Sequence, residues 1–331
     1  MLSRHNQLIR SLRAVNSTRI AWRAPTSSSI MRPFHVSALH RTLNPSLTDP
    51  SHSSSSTTHV SHDNKEEQLF LYSSQHSTPL PDKFDRLHAH SMQVYPTTAG
   101  KTVSALQGHF QQMLMRLTKP KAVLELGTFM GYSAMAMADG MPKGAVLYTC
   151  EKDPKAAQLS RELFEEHAYS PSTKGQNVER KDTTIEIVEG DGLSSLALLA
   201  QRKLRFDAVF LDADKSNYVN YYNFILDNHM LNDDGYILAD NVLFSGLVLN
   251  TEERKRRQAA AAAAGSSSSS KGKGKGKKEK DAKDGEWTSE AFQKFADHID
   301  TFNKHVCSDP RVDVVLLPAF DGLSLIMKKR Q

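Results

Sequence analysis

Two short apolar runs, residues 206–211 and 236–239, constrain this chain most, because each stops abruptly at acidic or amide side chains. The first run delivers Asp212, Asp214 and Lys215, and the second delivers Asp240 and Asn241. Apolar runs of this length, on either side of a helix-length segment, predict parallel strands joined by a crossover. In an open α/β sheet the ligand crevice lies at the carboxyl ends of the strands. Asp212, Asp240 and Asn241 are therefore expected to face one crevice from two strand ends. Two carboxylates and an amide oxygen make an all-oxygen set suited to Mg²⁺ or a similar hard cation, with waters or substrate oxygens completing an octahedron. Strand-end acids also serve as helix caps or solvated loop residues. A second cluster one crossover after the first favours the ligand role.

The same strand-and-turn pattern recurs upstream. Residues 121–133, KAVLELGTFMGYS, give a strand, a turn and the start of a small-residue helix, with Gly127 and Gly131 permitting close approach of backbone to a ligand. Neither G-x-G-x-x-G nor a Walker lysine is present, which argues against a nicotinamide oxidoreductase and a phosphate cradle. A second strand, 144–150, ends at Glu151, and an acid there commonly hydrogen-bonds a ribose diol. A third, 184–188, leads to Asp191, placed to accept from an exocyclic amine such as adenine's. Either acid equally fits a cap or a solvated turn.

Apolar residues at three- and four-residue spacing predict helices between 66 and 117, over 153–167 with Pro154 in the first turn, over 193–202 and over 289–306. Residues 312–329 read as two β runs parted by Pro and Asp-Gly, a closing hairpin. The sum is an α/β fold: a doubly wound, Rossmann-like, seven-stranded sheet, parallel except for its antiparallel C-terminal hairpin.

Charge places the boundaries. Residues 1–41 hold seven arginines and no acid, the composition of a mitochondrial transit peptide, and imply a matrix location. Arg32-Pro33-Phe34-His35-Val36-Ser37 resembles a two-step cleavage signal, with a mature start near Thr42. Residues 42–64 are polar and low in complexity and are expected to form a linker. Residues 251–286 run through six alanines, five serines and alternating Lys-Gly, from which no core can be built, so a disordered insertion is expected directly after Asn241. Setting both basic segments aside turns the formal +5 into roughly −7, so the domain at 65–331 carries no basic footprint for nucleic acid. No stretch approaches the roughly 20 apolar residues of a membrane span, and a soluble protein is expected. Cys150 and Cys307 give neither a disulfide framework nor metal spacing, and Cys150 is expected to be a small buried hydrophobe.

Taken together, LELGTFMGYS (124–133), FLDADKSNY (210–218) and ADN (239–241) resemble the metal-dependent O-methyltransferase family of catechol and caffeoyl-coenzyme A O-methyltransferases, over about 101–328. The resemblance implies S-adenosylmethionine as methyl donor, a divalent cation, and a small phenolic acceptor with vicinal hydroxyls. It places Glu125, Gly127, Thr128 and Ser133 against the methionine part of the cofactor, Glu151 on the ribose, and Asp191 and Gly192 beside the adenine. Val103 and Asp214 become further cofactor contacts, Asp212, Asp240 and Asn241 metal ligands, and Lys215 the general base. Family members are often dimers, so a homodimer is an option, although no residues here mark a dimer face. Two departures bear on the acceptor: KTVSALQG precedes the first strand where plant members tend toward TSADEG, and the insertion replaces a pocket-framing loop. A transfer-RNA hydroxyuridine acceptor is the second reading, and a non-enzymatic binding module a third.

Overall fold

The computed structural model of the chain describes residues 62–96, 102–169, 183–251, 256 and 289–330. The stretch expected to be a transit peptide, nearly all of the expected linker, and the expected insertion apart from Thr251 and Arg256 lie outside the described residues.

Three helices lead into the sheet: α1 (His62–Gln75), α2 (Lys83–Val94) and α3 (Ala105–Thr118). The first begins three residues inside the stretch expected to be linker. Then follow β1 (Ala122–Leu126), α4 (Tyr132–Gly140), β2 (Val146–Glu151), α5 (Pro154–Glu166), β3 (Thr184–Glu189), α6 (Gly192–Gln201) and β4 (Phe206–Leu211). After a single 3₁₀ turn come α7 (Tyr218–Asp227), β5 (Leu231–Asp240), α8 (Ser289–Ser308), β6 (Val312–Leu317) and β7 (Leu323–Lys328). The strand order is β3-β2-β1-β4-β5-β7-β6. The first five strands pair in parallel, and β7 runs antiparallel to both β5 and β6. This is the expected doubly wound sheet with its closing hairpin. Strand β5 starts five residues earlier than its apolar run, because Leu231 pairs with Phe206 before the chain reaches Tyr236.

Alternation along the strands divides the core. Val123, Ala208, Phe210, Tyr236 and Leu238 face α3 and α4 with Met115 and Met135. Leu124, Leu126, Val209, Leu211, Ile237 and Ala239 face the other layer, with Leu199, Tyr222, Ile225 and Phe302. Period-two geometry then puts Glu125, Asp212 and Asp240 on the α3 side of the sheet. Full burial of side chains of this size contributes roughly 1.5–3 kcal/mol each, which is what fixes the register. Cys150 is buried, as expected. Thr118 Oγ1 and Tyr236 OH, 3.1 Å apart, tie the end of α3 over β5. Among the described residues no helix is long and apolar enough to cross a membrane.

Candidate active site

Leu211 is the register partner of Ala239, so Asp212 and Asp240 leave the sheet side by side at the ends of β4 and β5. Lys215 folds back through the 3₁₀ turn (Lys215–Asn217), and its Nζ lies 2.6 Å from Asp212 Oδ1 and 2.7 Å from the Tyr218 hydroxyl. Tyr218 OH in turn lies 3.1 Å from the carbonyls of Leu211 and Asp240, so its single proton is directed at the two strand ends while its oxygen accepts from Lys215. Burial pushes the Asp240 carboxyl up to about 7, and the neighbouring Asp212 adds to this; Lys215, Gln107 and the Asn241 N–H act the other way. Gln107, on α3, faces Asp240, but its Nε2 is too poorly placed to complete a hydrogen bond.

Asn241 takes a left-handed conformation, φ 57°, which asparagine adopts more readily than most residues. Its N–H returns to Asp240 Oδ1 at 2.8 Å, and its Nδ2 donates to Asp321 Oδ2 at 3.4 Å. With its nitrogen so engaged, the amide oxygen is the end that remains for a ligand. Burial also raises Asp321, which feels both Asp212 and Lys215. Three carboxylates thus surround one ammonium. That donor chemistry fits a hard cation. Among the described residues no group of three or more His, Cys, Asp or Glu side chains is arranged to hold an ion, so a cation here would depend on the Asn241 amide as third protein ligand.

The β1 end is built differently. Glu125 is fully buried; Ser133 Oγ donates to its Oε1 and Thr149 Oγ1 to its Oε2, each at 2.5 Å. Thr128 Oγ1, 2.6 Å from Thr149 Oγ1, must then donate to it, since the Thr149 proton is already directed at Glu125. Burial lifts Glu125 to about 8, although both hydroxyl donors oppose the shift. Gly127 has φ 104°, and a Cβ there would lie 2.1 Å from the Asp212 carbonyl oxygen. Glycine at this point lets the ends of β1 and β4 touch. Glu151 accepts from the N–H groups of Phe129, at 2.7 Å, and Asp153, at 2.9 Å, bracing the turn before α4.

Asp191 caps α6, accepting from Ser194 N at 3.1 Å, and this hydrogen bonding holds its carboxyl below the usual range. Asp214 caps the 3₁₀ turn through Ser216 and Asn217; burial pushes its carboxyl up, but these bonds outweigh that and leave it low. A Cβ on Gly192 would meet the Tyr221 ring at 2.6 Å. Tyr221 lies within reach of both acids: burial first, then Asp214 and Asp191, push its phenol up to about 12. Val103 is buried just ahead of α3, within the core cluster on that side of the sheet.

The site therefore pairs Lys215 with Asp212 and Asn241 with Asp240, the two pairs linked through Tyr218, and joins Glu125 to Ser133 directly and to Thr128 through Thr149. Tyr218, Gln107 and Asp321 were not anticipated from sequence. Tyr218 lies three residues from Lys215 and could have been found by helical spacing. Gln107 and Gln111 form a polar pair on the buried face of α3. Asp321 looked like ordinary hairpin-turn chemistry.

The sequence model of the O-methyltransferase family matches residues 74–329. An O-methyltransferase of Aspergillus thermomutatus, ankF, is 32% identical over 78% of this chain and 92% of its own length. A catechol O-methyltransferase of Niastella koreensis is 35% identical over 45% of this chain and 62% of its own. The crystal structure of the Podospora anserina methyltransferase PaMTH1, bound to SAH, superposes with a TM-score of 0.62 and 26% identity, covering 83% of this chain and 100% of that one.

Proposed function

The chain belongs to the S-adenosylmethionine-dependent O-methyltransferase family, and on that premise we propose that it methylates one hydroxyl of a catechol-like or caffeoyl-type small molecule with the help of a divalent cation. The observation that carries this reading is the meeting of Asp212, Lys215, Asp240 and Asn241 at two adjacent strand ends, where carboxylates outnumber ammonium groups.

S-adenosylmethionine supplies an electrophilic methyl carbon, and a cation, which Asp212, Asp240 and Asn241 would hold, would supply Lewis acidity that favours phenolate over phenol. The chain does the rest. Lys215, in its neutral amine form, takes up the proton of the acceptor hydroxyl and becomes the ammonium, its Nζ held in place by Asp212 and by the Tyr218 phenol. The three oxygen donors fix where the paired oxygens of the acceptor sit, and such positioning can supply roughly 7–11 kcal/mol. Glu125, Gly127, Thr128, Ser133 and Glu151 hold the β1–α4 turn against the methionine and ribose parts of the donor, Asp191 and Gly192 border its adenine, and Asp214 is a further donor contact. Val103 closes the donor site from the α3 side. The acid-free composition of residues 1–41 supports a mitochondrial matrix location, which import of a reporter fused to them would check.

The test follows S-adenosylhomocysteine release from the protein with catechols, caffeoyl esters or transfer RNA, in Mg²⁺ and again in chelator. Turnover on a vicinal diol that disappears with chelator is expected. Turnover indifferent to chelator would overturn the role of the cation, and turnover on transfer RNA alone would replace the small-molecule acceptor.

A further inference from the structure

The turn between β6 and β7 reaches back to the crevice. Asp321 lies there, largely buried, with both carboxylate oxygens engaged: Oδ1 accepts from Ser245 N at 2.5 Å and Oδ2 from Asn241 Nδ2 at 3.4 Å. Main-chain bonds lock the same contact, Leu243 N to Asp321 O at 3.0 Å and Val242 N to Gly322 O at 3.1 Å. Gly322, at φ 85°, makes this approach feasible, because a Cβ there would lie 2.4 Å from Leu243 N. Residues 241–245, directly after β5, are thus held against the hairpin turn, with Asn241, Phe244 and Ser245 all left-handed.

An asparagine amide can present either its oxygen or its NH₂ to a site, and the choice is made by whatever holds the other end. We propose that Asp321 is a positioning residue that sets the Asn241 amide with its oxygen toward the crevice, and so determines whether Asn241 can serve as a cation ligand. This rests on the cation reading above. Asp321 is placed as the partner of the Asn241 amide, its Oδ2 accepting from Asn241 Nδ2 and its Oδ1 from Ser245 N. The partner of a metal ligand typically changes metal affinity 10- to 100-fold when lost.

The geometry gives a discriminating consequence. In Asp321→Asn, Ser245 N can only donate, so the new amide must keep its oxygen there and turn its NH₂ to Asn241. Asn241 must then rotate to offer its own oxygen to position 321 and its NH₂ to the crevice, where it repels a cation. Asp321→Ala removes the same charge but forces no rotation. Combining Asp321→Asn with Asn241→Asp restores a donor-to-acceptor match and leaves an anionic oxygen facing the crevice.

Binding of Mn²⁺, read from the free-ion electron paramagnetic signal, tests this on the full chain, with S-adenosylhomocysteine affinity and the melting midpoint as controls. Asp321→Asn should weaken Mn²⁺ by about 100-fold and Asp321→Ala by about 10-fold, with cofactor affinity changed by less than about twofold. The difference should vanish on an Asn241→Ala background, and the Asn/Asp exchange should recover binding to within about tenfold of wild type. Equal losses in the two single variants, or a difference that persists without Asn241, would overturn the proposal. So would an exchanged pair that folds but fails to bind, which keeps the question decidable even if Asp321→Asn alone does not fold. Wild-type protein that ignores Mn²⁺ would remove the cation reading and this one together, an outcome distinct from loss of selectivity between variants.

Discussion

At the ends of β1, β2 and β3 each carboxylate is met by donors of the fold itself. Ser133 and Thr149 serve Glu125, two backbone N–H groups serve Glu151, and Ser194 serves Asp191. At the ends of β4 and β5, by contrast, Asp212, Asp240 and the nearby Asp321 share a single ammonium, and burial together with mutual repulsion lifts Asp240 to about 7. The difference separates two ways of making a site. On the first side the acids are already structural, and a ligand adds to bonds that exist without it. On the second, backbone and amide N–H groups meet Asp240 and Asp321, but three carboxylates face a single positive charge, so the arrangement favours a cation.

The sharpest way to break this comparison is at Lys215. Replacement by Met removes both the ammonium and the proposed base; replacement by Arg keeps the charge but cannot deprotonate. Both variants should lose about 10²- to 10⁴-fold in kcat, the range for a lost general base, while S-adenosylhomocysteine affinity stays near wild type. Single-turnover rates with a catechol acceptor would measure it. An arginine variant that retained most of its activity would reduce Lys215 to a counter-charge for Asp212.

Glu125 tests the other side, because it is fully hydrogen-bonded and yet raised to about 8 by burial. A carboxyl whose folded pKa lies above its ordinary value of 4.5 binds its proton more tightly in the native state. Stability from that proton is present at low pH and is lost as pH rises from about 5 to about 8. Glu125→Gln has no such proton to lose. Urea unfolding at either end of this window should show the variant gaining on the wild type as pH rises. A constant difference between the two proteins would mean that the hydroxyl donors outweigh burial, and that this side is electrostatically quiet throughout.

What could be read from sequence follows from range. The β4 and β5 ends were legible because a strand that stops at an acid announces both its direction and its cargo within a few residues, and Asp212, Asp240 and Asn241 do meet. The doubly wound class was legible because apolar runs alternate with helical spacing, while the strand order came only with the structure. Asp321 was not, because an Asp-Gly turn has a sufficient local explanation; its reach to Asn241, 80 positions away, depends on how β7 pairs with β5. Gln107 was hidden for a related reason: helical periodicity marks the apolar face of α3 but does not say what a glutamine on that face will meet. Glu125 was placed against the cofactor by resemblance, while its closure by Ser133 and Thr149 needed β2 to be set beside β1.

The smallest effect lies at Asp191, where a cap and a ligand contact make different demands on the same carboxylate. As a cap, Asp191 needs only an oxygen for Ser194 N, so serine should substitute and alanine should not. As an adenine contact it needs the carboxylate's reach, which serine lacks. Asp191→Ala should lower the melting midpoint on the order of 1–4 °C and Asp191→Ser by less. Because hydrogen bonding from Ser194 keeps this carboxyl below its usual range, the alanine deficit is present at neutral pH and should shrink as pH falls through the lowered value. Cofactor affinity decides between the roles. If calorimetry finds S-adenosylhomocysteine bound equally by the wild type and the serine variant, Asp191 belongs wholly to the self-satisfied side of the comparison. If serine preserves the midpoint and weakens the cofactor several-fold, one carboxylate caps the helix and receives the adenine together, and the difference between the two ends is one of degree.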